Sequence, residues 1–477
     1  MDSIALPEGA NSGMMSFGDV SELRKALEAG YGSDVSQLTG GGALRIQSLD
    51  TTMMATIQEN KHFSLFNALQ KQNATATVDE WTEQDGVGGF LGGSTNAETG
   101  IIGESTGSYN RRVGMVKYLM TRRQVSFVQS LQTAIAESEA IEQQNGSLQL
   151  LTDAEFLCFE GDSRVVPTEF DGIAMQIESL NSADHVVDAE ANSLASIDLV
   201  SKSAATIAGF GNFGTATDLF MSQLTQSDFD VGLDPAFRVP LTDVPNGGIQ
   251  LGSPVVGIRT SWGEIKTCPD VFILDEAQQK PFELSHAGIA ANNNFTPGAI
   301  ATTLAANISS KFGAPHAGNY FYAVAGINAK GQSVVIKSAQ VAVAAGVAVS
   351  LTITPSATNE ETGYVIYRSR LNGTDGTDDF RIMSRIPKNE AGSTVYVDLN
   401  RDIPGTSKAY MLNMASGANA ITWRQLLPML KFPLYPTNAA VIPWAQLLFG
   451  FLRIAKRKHH VVIKNILPDG AQWRPFN

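Results

Sequence analysis

Cysteine and histidine are nearly missing from this chain. Cys158 and Cys268 are its two thiols, far apart and without a C-x-x-C partner. That excludes a disulfide framework and a thiolate zinc site, and both thiols read as small buried hydrophobes in a reducing compartment. The six histidines, His62, His185, His286, His316, His459 and His460, are scattered and form no ligand set at zinc-site spacing. Long apolar runs are missing too: none approaches the roughly 20 residues that span a bilayer. No basic-plus-apolar leader opens the sequence, so the glycosylation sequons at Asn145, Asn307 and Asn372 carry no weight. Positive charge is scarce. A formal charge of −13 excludes a dedicated nucleic-acid binder, whose affinity rests on many cations meeting phosphates.

What the chain has is glycine, 44 in 477 residues, which favours strands, turns and long loops over long helices. The length suggests two to four domains. "SFGDVSELRKALEAGYG" predicts a short helix, with Asp19 and Glu22 as a capping box, Val20, Leu23 and Leu27 as its stripe, and Gly30 as its stop. "LDTTMMATIQENKHFSLFNALQ" predicts another. Neither carries enough apolar residues for a core, so the N-terminal region reads as an arm that packs on something else. "TVDEWTEQ" and "RRVGMVKYLMTRR" read as strands on either side of a long Gly/Ser/Thr-rich stretch, an extended hairpin reaching away from the body. "QVSFVQSLQTAIAESEAIEQQ" has the strongest helical period, and "AEFLCFEGDS" follows it. Residues 188–209 predict a second helix ended by Gly209, and "IQLGSPVVGIRTSWGEIKTCPDVFIL" two strands joined at Trp262–Gly263.

Composition shifts near residue 276 and again near 412. Between these points lie at least six strand-like runs, among them "NYFYAVAGI", "AVSLTIT", "GYVIYRSR" and "STVYVDL", the pattern of a small β-sandwich. "YFYAVAGINAKGQS" and "ETGYVIYRS" resemble strands of fibronectin type III and immunoglobulin-like modules, with Tyr322, Val324, Asn328, Gly331 and Ser333 carrying the pattern. In the last segment "WAQLLFGFLRI" and "HVVIKNI" read as two apolar strands. Between them Arg453, Lys456, Arg457, Lys458, His459 and His460 form a basic run, expected to be the turn joining the strands.

Motif-like stretches do not add up to catalysis. "GFGNFG" at 209–214 matches the dinucleotide pattern, but a helix rather than a strand is expected before it, so Gly209 reads as a helix cap. "GESTG" at 103–107 matches a nucleophile elbow, yet Ser105 lies in a Gly/Ser-rich loop without the strand–helix frame that strains such a serine. "NGTDGTDD" lacks the ligand spacing of an EF-hand loop and reads as a solvated turn.

An arm, an extended loop, a spine-like helix from 124, "AEFLCFEGDS", the strand pair around Trp262 and the terminal "LPMLKFPLYP…WAQLLFGFLRIAKRKHHVVIKNI" follow one another in an order that resembles the major capsid proteins of tailed bacteriophages, the Hong Kong 97-type fold. The resemblance implies an α+β chain divided as follows: an arm at 1–75, an extended loop at 76–120, a peripheral domain from 121–165 and 416–477, an axial domain at 166–275, and an insertion at 276–415 whose immunoglobulin-like sandwich spans about 310–402. It implies a structural protein, not an enzyme, that assembles as hexamers and pentamers into an icosahedral virion shell around double-stranded DNA. No catalytic residue, cofactor or metal is expected. The implied partners are further copies of the chain, scaffolding, portal and decoration proteins, and packaged DNA bound without sequence preference; no membrane is implied. Assembly would take place in the host cytoplasm, and Trp81, Arg111, Arg112, Lys456, Arg457 and Lys458 are the expected subunit-interface residues.

Two departures qualify what carries over. Some members weld the shell through a Lys–Asn isopeptide bond with the Lys in the extended loop. This chain has no Lys between Lys71 and Lys117, so no such cross-link is expected. The arm begins within the first few dozen residues, so no large N-terminal scaffolding segment is expected to be removed. Competing readings are a surface adhesin or fibre protein using the sandwich, and an encapsulin-type compartment shell.

Overall fold

A computed structural model describes residues 59–131, 138–194, 197–232, 256–281, 284–285, 295–436 and 439–476. The helix expected at 16–32 lies outside these residues. The chain enters through a helical turn at Asn60–His62, a short helix α1 (Ser64–Ala68) and strand β1 (Gln70–Asn73). A hairpin follows, β2 (Val78–Gly86) and β3 (Ser108–Met115), and then β4 (Lys117–Ser126), α2 (Phe127–Leu131) and the long helix α3 (Ser138–Glu160). Next come α4 (Ile173–Glu178), β5 (Val186–Asp188), α5 (Ile197–Ala208), β6 (Asp218–Met221), α6 (Gln223–Gly232) and the hairpin β7 (Gly257–Thr260) with β8 (Gly263–Pro269).

A strand-rich stretch runs from β9 (Leu284–Ser285) through β10 (Ala299–Ala306), β11 (Gly318–Tyr320), β12 (Tyr322–Asn328), β13 (Gly331–Gln332), β14 (Ile336–Lys337) and β15 (Val341–Val343). It continues through β16 (Val347–Thr354), β17 (Gly363–Ser369), β18 (Phe380–Pro387) and β19 (Thr394–Asp398). The chain ends with β20 (Ser407–Leu412), β21 (Ile421–Pro433), β22 (Val441–Ile454) and β23 (Val461–Ile466).

These elements form a mixed α+β architecture. One sheet has the order β1-β21-β22-β4, and another β5-β23-β20-β6-β8-β7. Alternation along the second sheet explains its two covers. Phe220, Tyr410, Leu412 and Val462 point one way, into a core shared with Leu150, Ala154, Cys158 and Phe159 of α3 and with Trp423 and Phe451 of the first sheet. Leu219, Met221, Ala409, Met411, Val461 and Ile463 point the other way, onto Val200, Ala204 and Ile207 of α5 and Phe229 of α6. One helix, α3, therefore serves as a common wall of both sheets.

The third assembly is a two-layer sandwich. The three-stranded sheet β10-β16-β19 faces the sheet β18-β17-β12-β13-β9, with β14 paired to β12. Tyr322, Val324, Tyr364 and Ile366 meet Val349, Leu351 and Ile353 in its core. Ala323, Ala325, Val365 and Tyr367, the alternate residues of β12 and β17, are buried in a second cluster on the opposite face. The larger sheet is thus buried on both faces, which is why these strands read as nearly unbroken apolar runs. At the centre of the sandwich the guanidinium of Arg368, fully buried, donates to Asp398 at 2.7 Å and to Asn400 at 2.7 Å, and Tyr322 donates to the same Asp398 at 2.9 Å.

The C-terminal residues run back over the sandwich as a strap. Trp473 is buried beside Gly405, whose Cβ would overlap the indole, and its Nε1 donates to the Asp379 carbonyl at 3.1 Å. Leu371 donates its N–H to the Pro475 carbonyl at 2.9 Å, and Phe476 stacks on His316 with centroids 4.1 Å apart.

Several expectations need correction. The helix expected over 124–143 is strand β4 up to Ser126, then α2, and the long helix runs on to Glu160, so "AEFLCFE" is helical. Its buried face holds Gly146 and Glu155 among apolar residues, which blurs the period that would have extended it. The helix expected at 188–209 begins only at Ile197. Of the second N-terminal helix, the described part is the short α1 followed by a strand. β20 lies in the stretch assigned to the insertion, yet it is a central strand of the six-stranded sheet. Finally, β22 and β23 do not form a hairpin: β22 pairs with β21 and β4, and β23 with β20 and β5. The basic run is a passage between two sheets, not a turn within one.

Candidate functional site: the extended hairpin and its basic clamp

Strands β2 and β3 pair antiparallel from Val78 opposite Met115 to Gly86 opposite Ser108, with a register shift near Gln84. Beyond them residues 87–107 carry Val87, Phe90, Leu91, Ile101 and Ile102, each 78 to 96 % exposed. The loop has Glu98 and Glu104 and neither Lys nor Arg. Gly88, Gly89 and Gly92 take positive φ there, a backbone route that residues with a Cβ rarely follow. Ser105, of the elbow-like motif, is exposed in this loop.

The base of the hairpin is held differently. In β2 the residues Asp79, Trp81, Glu83 and Asp85 share one face by strand alternation. The carboxylate of Asp79 accepts from Arg424 through Nε at 2.9 Å and a terminal nitrogen at 3.0 Å. Arg453 lies 3.6 Å from the same carboxylate and donates to Gln72 at 3.1 Å. Burial, followed by the neighbouring Arg424, holds the Arg453 pKa below its usual value. Glu83 accepts from Arg457 at 3.2 and 2.9 Å in a two-pronged pair, with side chains only 7 % and 8 % exposed. Arg457 also donates to Ser179 Oγ of the helix α4 cap at 3.0 Å, and Arg112 approaches Glu83 from β3 at 3.4 Å. Lys458 stands 3.9 Å from Asp85. Two-pronged, desolvated pairs of this kind fix direction as well as distance.

Each expected interface residue therefore has a definite place. Trp81 packs against the main core, and Gly114 leaves room for the ring of Phe451, which a Cβ would overlap. Arg112 and Arg457 converge on Glu83 within the chain. Arg111 is exposed and pairs with Glu80, and Lys456 is exposed. The structure brings Trp81, Arg112, Arg457 and Lys458 together at the hairpin base and leaves Arg111 and Lys456 on the surface. Asp79, Glu83 and Arg424 were not singled out from sequence, and Arg453 was named only as part of the basic run. The signal that could have found them is the row of acids at 79, 83 and 85 on one strand face.

The histidines of the basic run are structural. His460 is fully buried, and its Nδ1 accepts the Asn413 N–H at 3.2 Å. Burial pushes its pKa down to about 3, so it adds no charge at neutral pH. Cys158 is buried and Cys268 half-buried, and both are free thiols. The acidic loop folds on itself: buried Asp379 accepts from Arg370 and from the Thr374 N–H. Among the described residues no group of three or more His, Cys, Asp or Glu side chains is arranged to hold a metal ion. No described helix is long and apolar enough to cross a membrane.

No family model and no curated protein matches this chain. Solved structures do. The capsid of a native GTA particle aligns over 90 % of this chain and 97 % of its own, at 10 % identity and a TM-score of 0.47. A structure titled Microbacterium phage Oxtober96 aligns over 91 % and 99 %, at 8 % identity and a TM-score of 0.46. The SrpI encapsulin complex of Synechococcus elongatus aligns over 91 % and 96 %, at 8 % identity and a TM-score of 0.42.

Proposed function

We propose that this chain is the major capsid protein of a tailed bacteriophage, a subunit whose copies close into a shell around double-stranded DNA. One observation carries the reading. The hairpin is rigid at its base, where buried carboxylate–guanidinium pairs hold it, and ends in a loop whose five large apolar side chains stand in water. An isolated soluble protein rarely keeps such a surface, and a neighbouring copy gives it cover. One copy offering a loop to a different surface of the next is a head-to-tail contact, which closes into rings when the rotation allows. Hexamers and pentamers are rings of this kind. The subunit works by shape and contact, not by catalysis. The net charge of −13 suits a container that must later release DNA, because a cationic lining would hold phosphate tightly. Scaffolding and portal proteins would be further partners, and the host cytoplasm the place of assembly.

The test is negative-stain electron microscopy of the expressed full chain, alone and with its genomic neighbours, beside a variant in which residues 87–106 are replaced by a short Gly-Ser turn. Closed shells, tubes or six-fold rings from the wild type, lost in the variant while its subunit stays folded, are the expected result. A wild type that remains a monomer under every condition would overturn the reading.

A further inference from the structure

The sandwich leaves one sheet face in water. On it stand Ala301 and Thr303 of β10, Ser350 and Thr352 of β16, and Val395 and Val397 of β19. Thr352 sits opposite Ala301 and Val395, and Ser350 opposite Thr303 and Val397. Val395 is 59 % and Val397 42 % exposed, and they are the large apolar side chains of this face. Strand alternation puts no charged side chain of these three strands on this face. The other sheet of the sandwich is buried on both sides, and the strap of Trp473, Pro475 and Phe476 ties the sandwich to the end of the chain. The open face is thus presented on a fixed platform.

We infer that this face meets the same face of a second copy, as a weak contact that reinforces the assembled particle; the inference rests on the shell-forming reading above. A two-fold contact sets a surface against its own image, so any charge on it tends to meet its like. A flat, uncharged sheet face with exposed valines avoids that penalty, in a chain whose copies each carry −13. Size decides the strength. Two strands of eight residues and one of five, about 4.8 Å apart at about 3.3 Å per residue, give roughly 330 Å² per copy. A stable pair of proteins needs about 800 Å² per partner. The face therefore cannot hold a dimer in dilute solution. It acts once other contacts have placed the copies side by side at high effective concentration.

The experiment compares particles assembled from the wild type, from Thr352→Glu, from Val395→Glu and from the uncharged control Val395→Thr. Morphology is read by electron microscopy, and dissociation by light scattering during a guanidinium titration. A like-charge pair across such a contact is expected to weaken it about fivefold. Both Glu variants should keep wild-type morphology and subunit folding and dissociate at lower guanidinium, while Val395→Thr behaves as wild type. Mixing Thr352→Glu with Thr352→Lys subunits should restore the midpoint, since unlike charges then meet. Wild-type midpoints for both Glu variants, with shells formed normally, would overturn the contact and leave the shell reading intact. Failure of the wild type to form particles would overturn both.

Discussion

Consider Arg457→Ala, which removes one half of the clamp on the hairpin. The wild-type guanidinium makes two bonds to Glu83 at 3.2 and 2.9 Å and one to Ser179 at 3.0 Å. The substitution leaves Glu83 buried, with only Arg112 near it at 3.4 Å. Removing one partner of a buried pair costs about 3–5 kcal/mol because the other charge is stranded. The remaining Arg112 places the expected cost near the lower limit, about 3 kcal/mol. If the pair holds the hairpin, that cost falls on the opening of β2 from the body. Amide hydrogen exchange across 78–86 should then accelerate by about 150-fold, following a tenfold change per 1.4 kcal/mol. The double variant Arg457→Ala with Glu83→Gln should recover part of the loss, because no bare carboxylate is left. Lys456→Ala, next door but exposed, should leave exchange unchanged. Exchange within about threefold of wild type in Arg457→Ala would refute the clamp, since so small a change is under 1 kcal/mol.

Two further predictions concern the anchorage of the entering chain and of the sandwich. Glu155 of α3 accepts the Leu65 and Phe66 N–H groups at 2.7 Å each, while Ser64 donates to the neighbouring Asp270. Burial, and then Asp270, raises the Glu155 pKa from 4.5 to about 9. A raised carboxyl pKa makes the native state favour the proton. Stability from this site is therefore complete below pH 4.5 and is lost as pH climbs toward about 9. Denaturation midpoints measured at pH 6 and 9 should fall in the wild type and stay closer together in Glu155→Gln; equal slopes would discount the site. Trp473→Ala should cost about 3–5 kcal/mol, the range for emptying a buried aromatic site. Limited proteolysis should then cut first at the edges of the sandwich, and an unchanged cleavage pattern would mean the strap is passive.

Much of this arrangement was legible in the sequence. The hairpin could be read because its strands flank a stretch too poor in apolar residues for a core, but the run read as its second strand divides at Val116 into β3, which pairs with β2, and β4, which pairs with β22. The sandwich could be read from repeated short runs separated by turns. The strand pair at Trp262 followed from a turn between two alternating segments. What escaped reading has two physical causes, burial on both faces of a strand and partners far apart in sequence. β22 and β23 are largely apolar and mostly buried, so little in their pattern says which neighbour each pairs with, and adjacency in sequence suggested a hairpin. β20 is likewise almost wholly buried, and lying just past the sandwich it was assigned to the insertion and not to the large sheet. In α3, Glu155 sits at a core position because backbone N–H groups from another segment satisfy it, which no local period announces. The clamp was missed because its partners stand more than 300 residues apart.

The placement of Arg457 has a mechanical consequence. The hairpin is a lever, and its fulcrum is the passage at 455–460 that joins the two large sheets. β2 is nine residues long, roughly 30 Å of stiff ribbon. In the proposed assembly, a load that a neighbouring copy put on the loop would arrive as torque at that passage, where it would act to rotate one sheet against the other. Tension between copies and strain inside each copy would thus be joined through this small set of buried charges, Arg457 among them.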